Sequence, residues 1–248
     1  MARYQVILAY DGAGFTGSQR QANSRTVQGE LEKALRNLGW SDRSILMAGR
    51  TDTGVHATGQ VATFDFKWVH STDKLLWALN KHLPSDLVVR SVSPASADFH
   101  PRFDATSREY RYRVFFEPIR DPLRRKLLWR TWPAVDEDAL KRNASIFLGK
   151  HDFVAIGSRT TPKGTTVRTV TKAEWKKMPD GEWQFEIRAD AFLYRMVRRL
   201  VFVQVSVAQG RCSVEKVQHA LSKQGVLLAG LAPAHGLTLV EVTYGSHD

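Results

Sequence analysis

The sequence predicts an α+β chain built of two halves, each running in the order βαββαβ. Three observations carry that expectation. Strand-like and helix-like periodicities alternate cleanly over residues 3–92, a looser version of the same order continues to residue 244, and no low-complexity linker divides them. Residues 3–10 read as a strand that stops at Asp11-Gly12. Thr26 to Leu38 reads as a helix, because Val27, Leu31, Ala34, Leu35 and Leu38 share one face, Thr26 can cap the start and Gly39 can end it. Ser44–Ala48 is a short strand. Gln60–Phe66 is a second, with Val61, Thr63 and Asp65 alternating against Ala62, Phe64 and Phe66. Between them, Gly49-Arg50-Thr51-Asp52-Thr53-Gly54-Val55-His56 is polar and flanked by glycines, hence a loop. Ser71 or Thr72 starts a helix through Leu75, Leu76 and Leu79 that stops ahead of Pro84, and Asp86–Val92 returns as a strand. This is the split βαβ, or ferredoxin-like, order.

The second half is expected as a strand at 109–116, a helix at 136–148 closed by Gly149, strands near 166–176 and 183–189, a helix at 192–209, a short helix from Ser213 and a last strand at 237–244. The boundary falls at residue 100, with 94–106 as the bridge and 101–248 as the second half. No residue pattern repeats between the halves, so the resemblance between them is one of element order. Two such units can join their sheets into one continuous mixed sheet, with a cleft suited to RNA. Residues 157–167 read as an exposed, mobile, basic loop.

Composition narrows the function classes. With 248 residues and 43% hydrophobic content the chain can bury a real core, which excludes disorder, collagen and coiled coil. The longest apolar run, Leu200–Ala208, is interrupted by Gln204 and Ser206 and is far short of the ~20 residues of a membrane span. The start has no long apolar leader, so the expectation is a soluble cytoplasmic protein without membrane partners. A single cysteine, Cys212, excludes an internal disulfide framework, zinc sites needing two thiolates, and the zinc nucleobase deaminases.

The charge points to an acidic partner. Lys and Arg number 36 against 25 Asp and Glu, a net charge of +11. Residues 1–100 hold 11 basic and 9 acidic side chains, so most of the excess lies beyond residue 100. There Arg102, Arg108, Arg111, Arg113, Arg120, Arg124, Arg125, Lys126 and Arg130 interleave with Phe103, Tyr110, Tyr112, Phe115 and Phe116. Guanidinium forks grip phosphate and aromatic faces stack on bases, which together suit RNA. A basic solvated surface over an aromatic core would show the same composition.

Common catalytic signatures fail on inspection. Gly12-Ala13-Gly14-Phe15-Thr16-Gly17 follows a strand but does not open directly into a helix, so it is a poor dinucleotide fingerprint. Neither a P-loop, a metal-ligand cluster nor a Gly-x-Ser-x-Gly elbow occurs. His56 and His151 stand alone and read as structural. Any chemistry is expected to proceed without cofactor or metal. What remains is Asp52, two residues from Arg50 between glycines that let the backbone approach a ligand. A carboxylate kept ionised there can be a nucleophile at an electron-poor carbon, or merely a turn former. Arg195, Arg198 and Arg199 cluster beside the apolar stripe Met196, Leu200, Val203 and Val207, as a second cationic site or a solvated face.

The segment Gly49-Arg50-Thr51-Asp52-Thr53-Gly54-Val55-His56 resembles the Gly-Arg-Thr-Asp-x-Gly-Val-His motif of the tRNA pseudouridine synthase A family. Supporting stations occur in the family's order: Tyr10-Asp11-Gly12, Thr26-Val27-Gln28-Gly29-Glu30-Leu31-Glu32, Ala78-Leu79-Asn80 with Leu83-Pro84, Phe99-His100-Pro101-Arg102-Phe103, Arg108-Glu109-Tyr110-Arg111-Tyr112, His151-Asp152-Phe153, Phe192–Arg198, and Ala232-Pro233 with Gly236-Leu237. The resemblance covers nearly the whole chain. It implies the pseudouridine synthase fold, two α+β halves on a continuous mixed sheet, with the active site in the cleft between them and a homodimer as the working unit. It also implies isomerisation of uridines at positions 38–40 of the tRNA anticodon arm to pseudouridine, needing neither cofactor nor metal. On it, Asp52 is the nucleophile, Arg198 its partner, and Tyr110 the side chain that stacks on the target base and serves in removing the C5 proton. Arg50, Arg102, Arg108 and Arg111 are the substrate-binding arginines. Ser18, Arg199 and Phe202 stand where the family usually has Trp, Asn and Gly, which touches RNA contacts and helix packing rather than the reaction. The competing reading is a non-catalytic RNA-binding protein of two RRM-like units, which would have no need of Asp52, Tyr110 and Arg198 together.

Overall fold

The computed structural model describes residues 1–159, 164–223, 225 and 227–245, so residues 160–163 of the expected basic loop lie outside the described residues. It is α+β, and it falls into two compact units, Met1–Thr106 with the segment from Thr238, and Ser107–Leu237. The last strand thus belongs with the first unit, a return that a single boundary along the chain does not capture.

The first unit opens with β1 (Ala2–Tyr10), α1 (Val27–Asn37), β2 (Leu46–Met47), β3 (His56–Phe66), α2 (Thr72–His82) and β4 (Leu87–Ala95). The order βαββαβ is as expected. β1 runs antiparallel to both β3 and β4, with Ala2 opposite Phe66 and Tyr4 opposite Pro94. β2 adds two residues antiparallel to β3, Leu46 opposite Thr63. Both helices start where the sequence offers a cap: Thr26 accepts from the Gly29 N–H and Ser71 from the Lys74 N–H. Every second residue of β1 from Tyr4 to Tyr10 is buried, and with Val27, Leu31, Leu35, Leu75 and Leu79 these side chains form the core. Each buried aliphatic side chain is worth about 1.5–3 kcal/mol. β3 begins at His56 instead of Gln60, because its first residues pair with β1 at Ala57 as well as with the returning C-terminal strand.

The second unit contains β5 (Ala105–Phe116), β6 (Trp129–Thr131), α3 (Glu137–Ser145), β7 (Gly149–Asp152), β8 (Val167–Lys177), β9 (Trp183–Ala189), α4 (Met196–Ala208) and α5 (Val214–Lys223). β5, β9, β8 and β7 lie side by side in that order, all antiparallel, and β6 pairs parallel with β5. β1 borders β3, which borders β2, as β5 borders β9, which borders β8: the same partial order on unrelated residues. Tyr112, Val114, Phe185, Ile187, Leu140, Phe147 and Leu200 fill the core. Gln204 and Ser206, which interrupt the apolar run of α4, are buried but satisfied: Trp175 Nε1 donates to Gln204 Oε1 at 2.9 Å, and Ser206 Oγ donates to the Phe202 carbonyl at 2.7 Å.

Three expectations change here. Gly149, read as a helix end, opens β7, and α3 closes four residues earlier. Residues 192–195 are not helical: Tyr194 bridges Ser158 through two backbone hydrogen bonds, and Arg195 takes φ +62° before α4 begins at Met196. The three-residue β6 and the four-residue β7 are too short for periodicity to reveal. The last strand, β10 (Leu237–Tyr244), returns to the first unit and runs parallel to β3, Thr238 opposite His56, which makes that sheet mixed.

Candidate active site

Asp52 begins a tight turn between β2 and β3. The Val55 N–H donates to the Asp52 carbonyl at 3.1 Å, and Gly54 takes φ +80°, a conformation that side chains rarely adopt. The Asp52 side chain is half-buried and Arg50 is exposed. Thr51, between them, is buried and carries the hydrogen bonds. Its N–H donates to Ser18 Oγ at 2.8 Å, its carbonyl accepts from the Ser18 N–H at 3.1 Å, and its hydroxyl is 2.9 Å from the Tyr10 hydroxyl. Gln60 Nε2 donates to the Gly49 carbonyl at 3.0 Å, and the Gly12 N–H donates to His56 Nδ1 at 3.1 Å. Both ends of the loop are therefore tied to neighbouring backbone, and Asp11 Oδ1 lies 3.1 Å from His56 Nδ1 as well.

The glycines of Gly12-x-Gly14-x-x-Gly17 explain how the first loop comes so close. A Cβ on Gly12 would lie 2.1 Å from the Val55 carbonyl oxygen, and one on Gly17, at φ +83°, would lie 2.9 Å from that of Thr51. No larger residue fits at either place. The same loop feeds α1, since the Gly17 and Ser18 carbonyls accept from the Val27 and Gln28 N–H groups. Arg25 braces it by a bidentate pair with Asp86 at 2.7 Å and by lying 4.2 Å over the Phe15 ring, which packs edge-on against Tyr10. Burial pushes the Tyr10 phenol up to about 12, although its hydrogen bonds with Thr51 and Gln60 work against that. It stays a neutral partner at any physiological pH.

Beside this loop is a cavity of about 280 Å3 in the first unit, lined by Ser18, Gln28, Arg50, His100, Arg102 and Phe103 among others. The structure thus brings together two of the expected substrate-binding arginines, Arg50 and Arg102. The other two are elsewhere, in the second unit: Arg108 Nη1 donates to the Asp190 carbonyl at 2.8 Å, and Arg111 pairs with Glu186 at 3.2 Å.

Tyr110 and Arg198 also belong to the second unit. Tyr110 lies on β5 opposite Ile187, half-buried, with its ring edge-on to Phe192 at 5.0 Å. Arg198 stands in the first turn of α4, its Nε donating to the Ala232 carbonyl at 2.8 Å. Next to that carbonyl, Pro233 accepts from the Tyr112 hydroxyl at 2.7 Å, and Gly236 leaves room for the Tyr112 ring, which a Cβ would meet at 2.6 Å. Burial raises the Tyr112 phenol well above its ordinary value, opposed by the Arg198 charge. Residues 232–236 therefore position Arg198 and the strand that carries Tyr110.

The face of the second unit's sheet opposite Tyr112 carries an ion network. Lys172 bridges Glu109 (3.2 Å) and Glu186 (2.7 Å), Lys176 bridges Glu186 and Glu174 (both 2.9 Å), and Arg188 Nε donates to Glu109 at 2.9 Å. Burial pushes the Glu186 carboxyl up, but Lys172 and Lys176 outweigh it and bring it from 4.5 down to about 2. Arg113 is held bidentately by buried Glu182. Much of the arginine-rich run is thus engaged within its own unit.

Sequence reasoning missed Tyr10, Ser18, Thr51 and Gln60 as the supports of Asp52. The available signal was the Gly-x-Gly-x-x-Gly run, discarded with the dinucleotide reading although its glycines had a different task. Among the described residues no group of three or more His, Cys, Asp or Glu could hold a metal ion, and no helix is long and apolar enough to cross a membrane.

Comparison with known proteins bears on the whole chain. The sequence pattern of a family described as tRNA pseudouridine synthase matches residues 6–104 and 144–245. A tRNA pseudouridine synthase A of Chloroflexus aurantiacus is 41% identical over 98% of this chain and 89% of its own length. Proteins of the same name from Brevibacillus brevis and Acetivibrio thermocellus are 39% and 36% identical, each over 98% of this chain and all of their own length. Among solved structures, a Cbf5–Nop10–Gar1 complex aligns at a TM-score of 0.39 and 13% identity, over 95% of this chain and 48% of that one, too loosely to bear on function.

Proposed function

We propose, for a chain that belongs to the tRNA pseudouridine synthase A family and is therefore an isomerase converting uridine in tRNA to pseudouridine, that Asp52 is the nucleophile. The observation that carries this reading is the way the Asp52 loop is held. A half-buried carboxylate stands on a turn whose neighbours are fixed by Tyr10, Ser18, Gln60 and the close approach of Gly12 and Gly17. Positioning a nucleophile within a few tenths of an ångström is what such an array achieves.

In the reaction the C1′–N1 bond breaks, the base turns, and C5 bonds to C1′. The carboxylate forms a transient covalent bond with the substrate, at C1′ or at C6, and is released when the new bond closes. Arg198 is the cationic partner of Asp52 in the reaction, and Tyr110 stacks on the extruded uridine, with its hydroxyl serving in removal of the C5 proton. Flipping that base from its stack costs about a few kcal/mol, which contacts to the anticodon arm offset. Those contacts fall to Arg50, Arg102, Arg108 and Arg111. Residues 1–100 carry the nucleophile and the more basic 101–248 most of the tRNA grip, in a homodimer acting in the cytoplasm.

The test is to incubate the protein with an unmodified tRNA transcript, derivatise for pseudouridine and compare wild type with Asp52→Asn. Product formation should fall by roughly four orders of magnitude or more while tRNA affinity stays within about threefold. Normal turnover by Asp52→Asn would remove Asp52 from the chemistry.

A further inference from the structure

The cavity beside the Asp52 loop has features the isomerisation chemistry does not use. None of Asp52, Tyr110 and Arg198 lines it. Its rim carries Phe103, 75% exposed although an aromatic ring gains more by burial than most side chains. The ring is not a loose surface group. It packs tilted against His100, with centroids 4.2 Å apart and planes 31° apart.

The turn that presents it is closed by its own hydrogen bonds. The His100 N–H donates to Asp104 Oδ2 at 2.8 Å, the Asp104 N–H returns to the His100 carbonyl at 3.1 Å, and His100 Nδ1 accepts from the Arg102 and Phe103 N–H groups at 3.2 and 3.3 Å. Two further contacts anchor it: the Tyr244 hydroxyl donates to the Pro101 carbonyl at 2.8 Å, and Phe99 packs edge-on to Tyr244 at 5.0 Å. An exposed ring held this firmly offers a stacking face at little entropic cost.

The charges around it select the ligand. Arg50 makes no hydrogen bond or ion pair with any described residue, and Arg102 extends from the same turn as Phe103, 6.0 Å from its ring. Two cations beside an exposed aromatic face match a phosphate next to a base. The volume, about 280 Å3, is at the lower edge of the ~300–1,000 Å3 of small-molecule sites and suits a single nucleoside rather than a length of strand. At the cavity's inner wall Gln28 is fixed by Glu32 and Ser44, so its amide cannot turn to suit every base.

We infer that this cavity is a second nucleotide subsite, which takes one unstacked base of the tRNA other than the uridine being isomerised. That base stacks on Phe103, and its phosphate sits between Arg50 and Arg102. The inference rests on the reading that the enzyme acts on tRNA at Asp52, and it adds a way in which neighbouring nucleotides are counted from the target.

The test uses the full chain, tRNA transcripts with one abasic nucleotide placed in turn along the anticodon arm, and the variants Phe103→Ala, Phe103→Leu and Phe103→Trp. Phe103→Ala should weaken tRNA binding about 5- to 100-fold, Phe103→Trp should restore it to within about threefold, and Phe103→Leu should not. One abasic transcript, not the one altered at the target, should lose the same factor with wild type and nothing further with Phe103→Ala. An affinity of Phe103→Ala within about twofold of wild type would overturn the subsite, as would a loss that is additive with every abasic position. Asp52→Asn run alongside separates the two ideas. An inactive Asp52→Asn with an unaffected Phe103→Ala sinks the subsite alone, whereas a fully active Asp52→Asn sinks the nucleophile and leaves the binding data to be judged by themselves.

Discussion

The Asp52 loop and the charged face of the second unit's sheet are both dense with polar side chains, yet they are held by opposite means. Around Asp52 the neighbouring backbone is held by the hydroxyls of Tyr10 and Ser18, the Gln60 amide, backbone amides, and two glycines that allow backbone to touch backbone. On the sheet face, Glu109, Glu174 and Glu186 share Arg111, Lys172, Lys176 and Arg188, most of them partly exposed. Neutral buried bonds fix geometry and are indifferent to salt, whereas exposed ion pairs fix little and are screened. The difference teaches where geometry matters. A carboxylate proposed as a nucleophile gains from supports that do not compete for its charge.

The comparison can be broken most sharply at Gly12. Gly12→Ala would place a methyl 2.1 Å from the Val55 carbonyl oxygen, so the two loops must part. We expect a loss of about 3 kcal/mol or more in urea unfolding, with turnover lost faster than tRNA affinity. A melt and turnover equal to wild type would show that the close approach is dispensable.

Next in size is Tyr10→Phe, which removes the hydroxyl facing Thr51 and keeps the ring against Phe15. Stability should fall by about 1–2 kcal/mol, and kcat should fall while KM changes little. A change in KM alone would mean the loop serves binding rather than the chemical step.

The charged face should respond to pH instead. Glu186 titrates at 4.5 when unfolded and at about 2 when folded, so its pairs stabilise above roughly pH 4.5, and that contribution is lost as pH falls toward 2. Glu186→Gln should cost about 1 kcal/mol at pH 7 and flatten the acid limb of the stability curve between those values. An unchanged acid limb would place the titrating group elsewhere.

The smallest effect is that of salt. Raising sodium chloride from low to about 0.5 M should lower wild-type stability by no more than about 1 kcal/mol, and Glu186→Gln by less than that. Equal sensitivity in both would count against the network as the screened element.

The sequence made the first unit legible because each of its elements announces itself locally. Thr26 and Ser71 are caps, Pro84 is a stop, and the strands alternate. It was less legible in the second unit, where β6 and β7 are too short for a period and Tyr194 looks helical by its neighbours until it pairs with Ser158. Asp52 stood out because few residues lie between glycines with an arginine two positions away. Its supports did not, since Tyr10, Ser18 and Gln60 are ordinary strand and loop residues until the chain folds them around Thr51. The meaning of an arginine was the least legible of all. Composition cannot distinguish Arg111, which is bound to Glu186, from Arg50, which makes no ion pair with any described residue.

The close contact between the loop after β1 and the loop before β3 also limits how this site could be moved. Residues 49–56 are shaped by a mould some forty positions earlier in the chain, whose two glycines record where the cast pressed against it. Anyone grafting the Asp52 segment into another βαββαβ scaffold would have to carry residues 10–28 with it, for the motif alone would arrive without the wall that gives it its form.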